Sequence, residues 1–153
     1  MFNRYKNPRT IIGVDENGNI IKEYKSYINL LNDGYTLRAY NCCKHNQNQN
    51  NKLNTHKNLY WFYKYNPHHN KIKFLIRLLE NKCTIIAYPE NNFNIDNIIG
   101  MYGYKGLKEY NFNSCSVYKC LNKKQKSYSG FSFIKFKNLK YNIKKDIVKN
   151  LFI

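Results

Sequence analysis

The chain is predicted to be an α+β protein of two tandem small modules, each a β-hairpin, a helix-turn-helix, a closing strand and a trailing helix. Three observations lead there. The run Ala39-Tyr40-Asn41-Cys42-Cys43-Lys44 is echoed by Val117-Tyr118-Lys119-Cys120-Leu121-Asn122 at a spacing of 78 residues. The run Leu59-Tyr60-Trp61-Phe62-Tyr63 is echoed by Phe131-Ser132-Phe133-Ile134-Lys135 at a spacing of 72. Each is followed by an apolar-periodic stretch, Lys71–Asn81 and 142–152. Internal similarity of this kind is the mark of a reused supersecondary unit. The six-residue difference in spacing falls in the Asn/Gln-rich loop 45–51, where an insertion is easily tolerated.

The expected order along the chain is an arm at 1–10, a first module at 11–63, a connecting helix at 64–82, a second module at 83–136 and a C-terminal helix at 137–153. Ile11–Val14 is a β-run, and Asp15-Glu16-Asn17-Gly18 is a hairpin turn whose Asn-Gly pair suits positive φ. Ile20–Tyr24 returns as the second strand. Ser26 caps a helix over Tyr27–Asn32, with Ile28 and Leu31 as its apolar pair, and Asp33-Gly34 ends it. Thr36 caps a second helix to about Lys44, and Leu59–Tyr63 closes the module. In the second module the strands are 85–88 and a run beginning at Ile98-Ile99, joined by a turn at Pro89-Glu90-Asn91-Asn92. Tyr102 falls opposite Tyr24 at the spacing of 78. A first helix near 104–110 is weakened by Gly103 and Gly106, and Asn113 or Ser114 caps the second. The trailing helices place Ile72, Leu75, Ile76 and Leu79, and then Ile143, Ile147, Val148 and Leu151, on one face. Those faces serve the intramolecular core or a homodimer contact.

Composition bounds the function. The 153 residues suffice for one ordinary domain or two small ones. Lys and Arg number 26 against 9 Asp and Glu, a net charge of +17 that calls for a polyanionic partner. Nucleic acid is the first such partner and an anionic membrane surface the second; drift toward AT-rich codons is the competing origin of the lysines. Aromatic residues make up 16%, enough apolar area for a core despite the charge. No apolar run is long enough to span a bilayer, and Met1-Phe2-Asn3-Arg4-Tyr5-Lys6 lacks the apolar stretch of an export signal. A cytoplasmic location is expected, the host cytosol if a phage encodes the chain. Cys42, Cys43, Cys83, Cys115 and Cys120 read as reduced thiols, mostly in the core.

The second helix of each module is the candidate reading element. Ala39, Cys42 and Cys43, and likewise Val117, Cys120 and Leu121, form a buried stripe at i, i+3, i+4. Arg38, Tyr40, Asn41 and Lys44, and Ser116, Tyr118, Lys119 and Asn122, are then expected to face out. Arg, Asn and Lys carry donors matched to base edges in the major groove; the alternative is an ordinary solvated helix face. Lysines beside these helices, Lys52 and Lys57 in the first module and Lys123, Lys124 and Lys126 in the second, are placed to contact phosphates.

The run from Asp15 through Ser26, then Cys42-Cys43-Lys44, then Tyr60-Trp61-Phe62-Tyr63, resembles the nuclease-associated modular DNA-binding repeats of HNH and GIY-YIG homing endonucleases. In the second copy Gly130-Phe131-Ser132-Phe133 stands for the family's "G-Y-x-W" strand. The resemblance covers about two-thirds of the chain and implies DNA binding with the second helix in the major groove. The chain departs from the family at Asn58, where a glycine is usual, at Tyr104, where the helix-starting serine is usual, and in having no nuclease centre.

No catalytic residue, metal site or cofactor is expected. The histidines are His45, His56, His68 and His69, without the downstream partner an HNH centre needs. The carboxylates are too scattered for two-metal chemistry. A zinc site from Cys42, Cys43, His45 and His56 is disfavoured because adjacent helical cysteines diverge by about 100°. The expected function is therefore a non-enzymatic nucleic-acid-binding protein, duplex DNA before RNA, such as a regulator carried by a phage or mobile element. Two alternatives remain: an inhibitor of a host nucleoprotein complex, as an anti-CRISPR protein is, and an RNA-binding protein using stacked tyrosines.

Overall fold

A short central strand buried on both faces organises each half of the chain. The computed structural model describes residues 10–49, 51–64 and 70–152. These divide into two units, Met1–Leu78 and Leu79–Ile153. The expected arm (apart from Thr10) and the Pro67-His68-His69 segment lie outside the described residues.

In the first unit β1 (Ile11–Val14), β2 (Ile20–Tyr24), β3 (Thr55–His56) and β4 (Leu59–Tyr63) form an antiparallel sheet in the order β2-β1-β4-β3. Because strand side chains alternate, Ile11, Tyr24, Trp61 and Tyr63 share one core with Leu30 of α1 (Tyr27–Asn32) and Ala39, Cys42 and Cys43 of α2 (Leu37–Asn46). Tyr60 and Phe62 turn to the opposite face. There Phe74 of α3 (Lys71–Asn81) meets their rings edge-on at 5.3 and 5.6 Å. Gly13 pairs with Trp61, and a Cβ on it would meet the indole at 3.1 Å. The fully buried Trp61 fits because that position carries no side chain.

The hairpin turn is held by the Asp15 carboxylate, which accepts the N–H groups of Asn17 and Asn19 at 2.9 Å, while Gly18 takes φ +80°. Ser26 caps α1 by accepting the Asn29 N–H at 3.2 Å. The apolar face of α1 differs from expectation: Ile28 is 66% exposed and Leu31 is exposed too, whereas Leu30 is buried with Tyr27 packed beside it. On a helix of six residues both i, i+3 pairs are apolar. Tyr27 and Leu30 take the inner side, Leu30 in the core with Tyr24 and Trp61 and Tyr27 edge-on to Tyr40. The loop expected at 45–51 begins inside α2, and several of its described residues are anchored. Asn46 donates to the Asn54 and Trp61 carbonyls at 3.0 and 3.1 Å, and Arg77 donates to those of Asn46, Asn48 and Asn51.

In the second unit β5 (Thr84–Pro89) lies between β6 (Ile99–Tyr102) and β7 (Phe131–Lys135). Ile85, Ala87, Met101 and Phe133 share a core with Leu107 of α4 (Gly103–Glu109) and Val117 and Cys120 of α5 (Ser114–Leu121). Ala87 pairs with Phe133 here, as Gly13 pairs with Trp61: the smaller ring leaves room for a methyl group. The β5–β6 connection is longer than the expected four-residue turn, because a 3₁₀ turn at Ile95–Asn97 follows it.

Strand pairing also corrects the expected correspondence of the two modules. Ile11 pairs with Tyr24, and Ile85 with Met101, so Met101 and not Tyr102 occupies the place of Tyr24. A one-residue slip exchanges the faces of a strand. Tyr24 and Met101 are accordingly buried and Tyr102 is exposed. The C-terminal helix α6 (Tyr141–Phe152) buries Ile147 and Val148, but Leu151, expected on the same face, is exposed at the helix end where it passes over side-chain-free Gly100.

Candidate nucleic-acid interface

The helix-turn-helix of the first unit turns at Gly34. Its φ of +89° lets the Tyr35 N–H reach the Leu30 carbonyl at 3.3 Å and the Gly34 N–H reach that of Leu31 at 3.0 Å. This closing pattern satisfies the last carbonyls of α1. In the second unit Asn111 (φ +59°) does the same, with Phe112 bonding Leu107 at 2.9 Å and Asn111 bonding Lys108 at 3.0 Å. Asparagine is the residue after glycine that best tolerates this conformation.

On α2 the stripe Ala39, Cys42 and Cys43 is buried. Arg38, Asn41 and Lys44 are exposed. Thr36 caps the helix by accepting the Arg38 N–H at 3.3 Å. Tyr40, expected on the outward face, is half-buried. Its ring lies edge-on to Tyr27 and Tyr63, at 5.6 and 6.1 Å, and under the Lys44 ammonium at 5.0 Å. A phenol flanked by two rings gains more from packing than from solvent.

The β3–β4 hairpin brings one further cation, Lys57, and the imidazole of His56 to the start of α2. Lys57 and Asn58 both have positive φ, the geometry of a two-residue hairpin turn. Ser129 and Gly130 occupy the same place before β7, with φ of +51° and +81°. Asn58 thus performs the backbone task that Gly130 performs in the second unit. Lys57, expected to contact phosphates, is held at the turn: its Nζ donates to the Gly34 carbonyl at 2.7 Å and lies 5.2 Å over the Tyr35 ring. His56 Nε2 is 3.3 Å from the Thr36 hydroxyl. Burial, then Lys57 and Arg38, hold the imidazole below its ordinary pKa. The uncharged imidazole thus lies among these cations, although 20 residues separate it from Thr36 and only the hairpin joins them. Lys52 is exposed, its carbonyl accepting from the His45 ring at 2.8 Å.

The nearest carboxylate of the turn, Asp33, is neutralised locally. The Tyr24 hydroxyl donates to it, and Lys22 lies 3.5 Å away. The Tyr24 bond and then the Lys22 charge lower its pKa. It remains an anion, but a masked one.

On α5 Asn113 is the cap, accepting the Ser116 N–H at 3.1 Å. Val117 and Cys120 are buried and Leu121 partly so. Lys119 and Asn122 are exposed, while Ser116 and Tyr118 are half-buried. Tyr118, expected to face out, stacks on Tyr104 with ring centroids 5.3 Å apart. Beyond the helix, Lys123 takes φ +60°, so that the Lys124 N–H returns to the Lys119 carbonyl at 2.8 Å. Lys119, Lys123 and Lys124 are thereby gathered at the negative end of the helix dipole, with exposed Lys126 beyond.

Burial raises the thiol pKa values of Cys42, Cys43 and Cys120, which keeps these groups protonated. Cys42 and Cys43 point into the aromatic core, away from any ligand set with His45 and His56. Cys83 and Cys115 are exposed. Among the described residues no three His, Cys, Asp or Glu side chains converge as a metal site, and no helix is long and apolar enough to cross a membrane. No family model, curated protein or solved structure matches the chain.

Proposed function

We propose that the chain is a non-enzymatic nucleic-acid-binding protein, that it prefers duplex DNA to RNA, and that it reads its target through α2 and α5. The observation that carries this reading is the division of α2. One side is locked into the aromatic core, and the other offers Arg38, Asn41 and Lys44, with His56 and Lys57 held at its first turn. A helix of 10 residues is about 15 Å long, a length suited to the wide major groove of B-DNA. The deep, narrow groove of A-form RNA excludes such an element. In this reading Arg38 and Asn41 contact base edges, and Lys44, Lys52, Lys57, Lys119, Lys123, Lys124 and Lys126 contact phosphates. Tyr40 and Tyr118 act as props, Tyr40 by steadying Lys44. The modular DNA-binding repeats of homing endonucleases, which the chain resembles, supply the same arrangement, here as a stand-alone binder fit for a regulator.

The test is fluorescence anisotropy on a duplex selected from a random pool, against an unrelated duplex and a structured RNA. Arg38→Ala is expected to cost about 1–3 kcal/mol on the selected duplex and much less on the unrelated one. Equal losses on both would reduce Arg38 to a phosphate contact, and tighter binding of the RNA would overturn the preference for DNA.

A further inference from the structure

A cleft of about 480 Å³ opens in the second unit. Its walls include Lys82, Lys135 and Lys137, and the rings of Tyr104 and Tyr118. The one carboxylate of its lining, Glu80, is bonded by Lys144 at 2.6 Å, so the field inside is positive. Ammonium groups brought into one concave site repel each other, an arrangement that an anion relieves. The aromatic wall is preorganised. The two tyrosine rings stack at an interplanar angle of 26°, and a hydrogen bond to Tyr118 raises the pKa of the Tyr104 hydroxyl. Tyr104 is nevertheless 62% exposed and offers its outer side to a ligand. Lys82 is held 4.8 Å over the ring of Tyr102, the neighbour of this wall on β6.

We infer that this cleft binds a nucleoside phosphate, its base laid against the Tyr104–Tyr118 pair and its phosphate among Lys82, Lys135 and Lys137. The volume lies within the range of small-molecule sites. An aromatic platform beside cations is the combination by which proteins hold unpaired nucleotides. Inorganic phosphate would leave the tyrosine wall unused, and an uncharged aromatic ligand would leave the lysines uncompensated. The ligand is either a free mononucleotide or an unpaired nucleotide of a longer strand. In both forms the site takes no side chain from α2, and of the two reading helices it shares only Tyr118 of α5.

Isothermal titration of the full chain with thymidine 5′-monophosphate, dT10, thymidine and inorganic phosphate tests this. Saturable binding of dT10 is expected, with thymidine and phosphate each at least about tenfold weaker than the base-bearing phosphates. Binding of the monophosphate as well as dT10 assigns the site to free nucleotides; binding of dT10 alone assigns it to strands. Tyr104→Leu, an exposed position that leaves the core intact, should weaken the base-bearing probes about tenfold and leave phosphate unchanged. Lys137→Gln should weaken every anionic probe, and Arg38→Ala should leave the monophosphate isotherm unchanged. Absence of saturable binding by both base-bearing phosphates overturns the inference. So does their indifference to both Tyr104→Leu and Lys137→Gln.

Discussion

At the scale of single residues, His56 joins stability to charge. Its imidazole bridges toward the α2 cap and is held neutral by burial, Lys57 and Arg38. The folded chain therefore takes up this proton at a lower pH than the unfolded chain. Between those two values the unfolded state binds more protons, so stability falls as pH drops below the ordinary imidazole value of 6.5. The fall stops once folded His56 is itself protonated. A bound polyanion has the opposite effect, because it stabilises the imidazolium, and affinity rises over the same window. Urea unfolding at pH 7.5 and 5.5, alone and with excess DNA, is the measurement. The free protein should unfold at lower urea at pH 5.5, and His56→Gln should lose part of that difference. A variant with the full wild-type difference would place the titration elsewhere. Other details of this scale were hidden from the sequence. That Gly13 makes room for Trp61 depends on a pairing between residues far apart in the chain, and the sequence carries no register.

At the scale of elements, what could be read was what local chemistry decides. The caps Ser26, Thr36 and Asn113, the strand Leu59–Tyr63 and the stripe of Ala39, Cys42 and Cys43 follow from side-chain type and short-range periodicity. The choice between Leu30 and the Ile28–Leu31 pair, the slip of β6 and the half-burial of Tyr40 and Tyr118 follow from tertiary packing, which periodicity does not contain. The helix ends illustrate both. Three helices end alike, with Gly34, Asn111 and Lys123 at the left-handed position. The first two residues tolerate that conformation, whereas a lysine there is strained by about 1–2 kcal/mol. Strain kept at a candidate contact fits a position retained for its charge. Lys123→Gly should therefore stabilise the chain by about 0.5–1 kcal/mol, the relief of strain less the entropy glycine adds to the unfolded state. The same change should weaken DNA binding and lower its salt slope by about one ion. Lys124→Gly, without strain to relieve, should weaken binding with no gain in stability. Thermal melts and anisotropy on the two variants decide it, and a Lys123→Gly protein less stable than the parent would refute the account.

At the scale of the whole molecule, charge was legible before any fold, because a sum needs no coordinates. Its consequence depends on which interactions salt weakens more. The attractive contacts include the exposed pairs Lys22 with Asp33 and Lys64 with Glu23, which solvent already screens, and the part-buried pair Lys144 with Glu80. Against them stands repulsion among 26 cationic side chains with only 9 acidic ones to offset it. That repulsion extends over about 30 Å at 0.01 M salt and about 10 Å at 0.1 M. Sodium chloride should accordingly raise the melting temperature of the free chain, with most of the rise below about 0.15 M, where screening changes fastest. Over the same range affinity for duplex DNA should fall steeply. A protein that neutralises about 6–10 phosphates loses about 10³–10⁵ in affinity between 50 and 200 mM salt. Heparin at low salt should reproduce the thermal stabilisation without any base to read. Chloride, rather than sulfate, keeps salting-out from imitating the effect. A melting temperature that falls with added chloride would mean that the acidic residues outweigh the excess of lysine, and the need for a polyanionic partner would go with it.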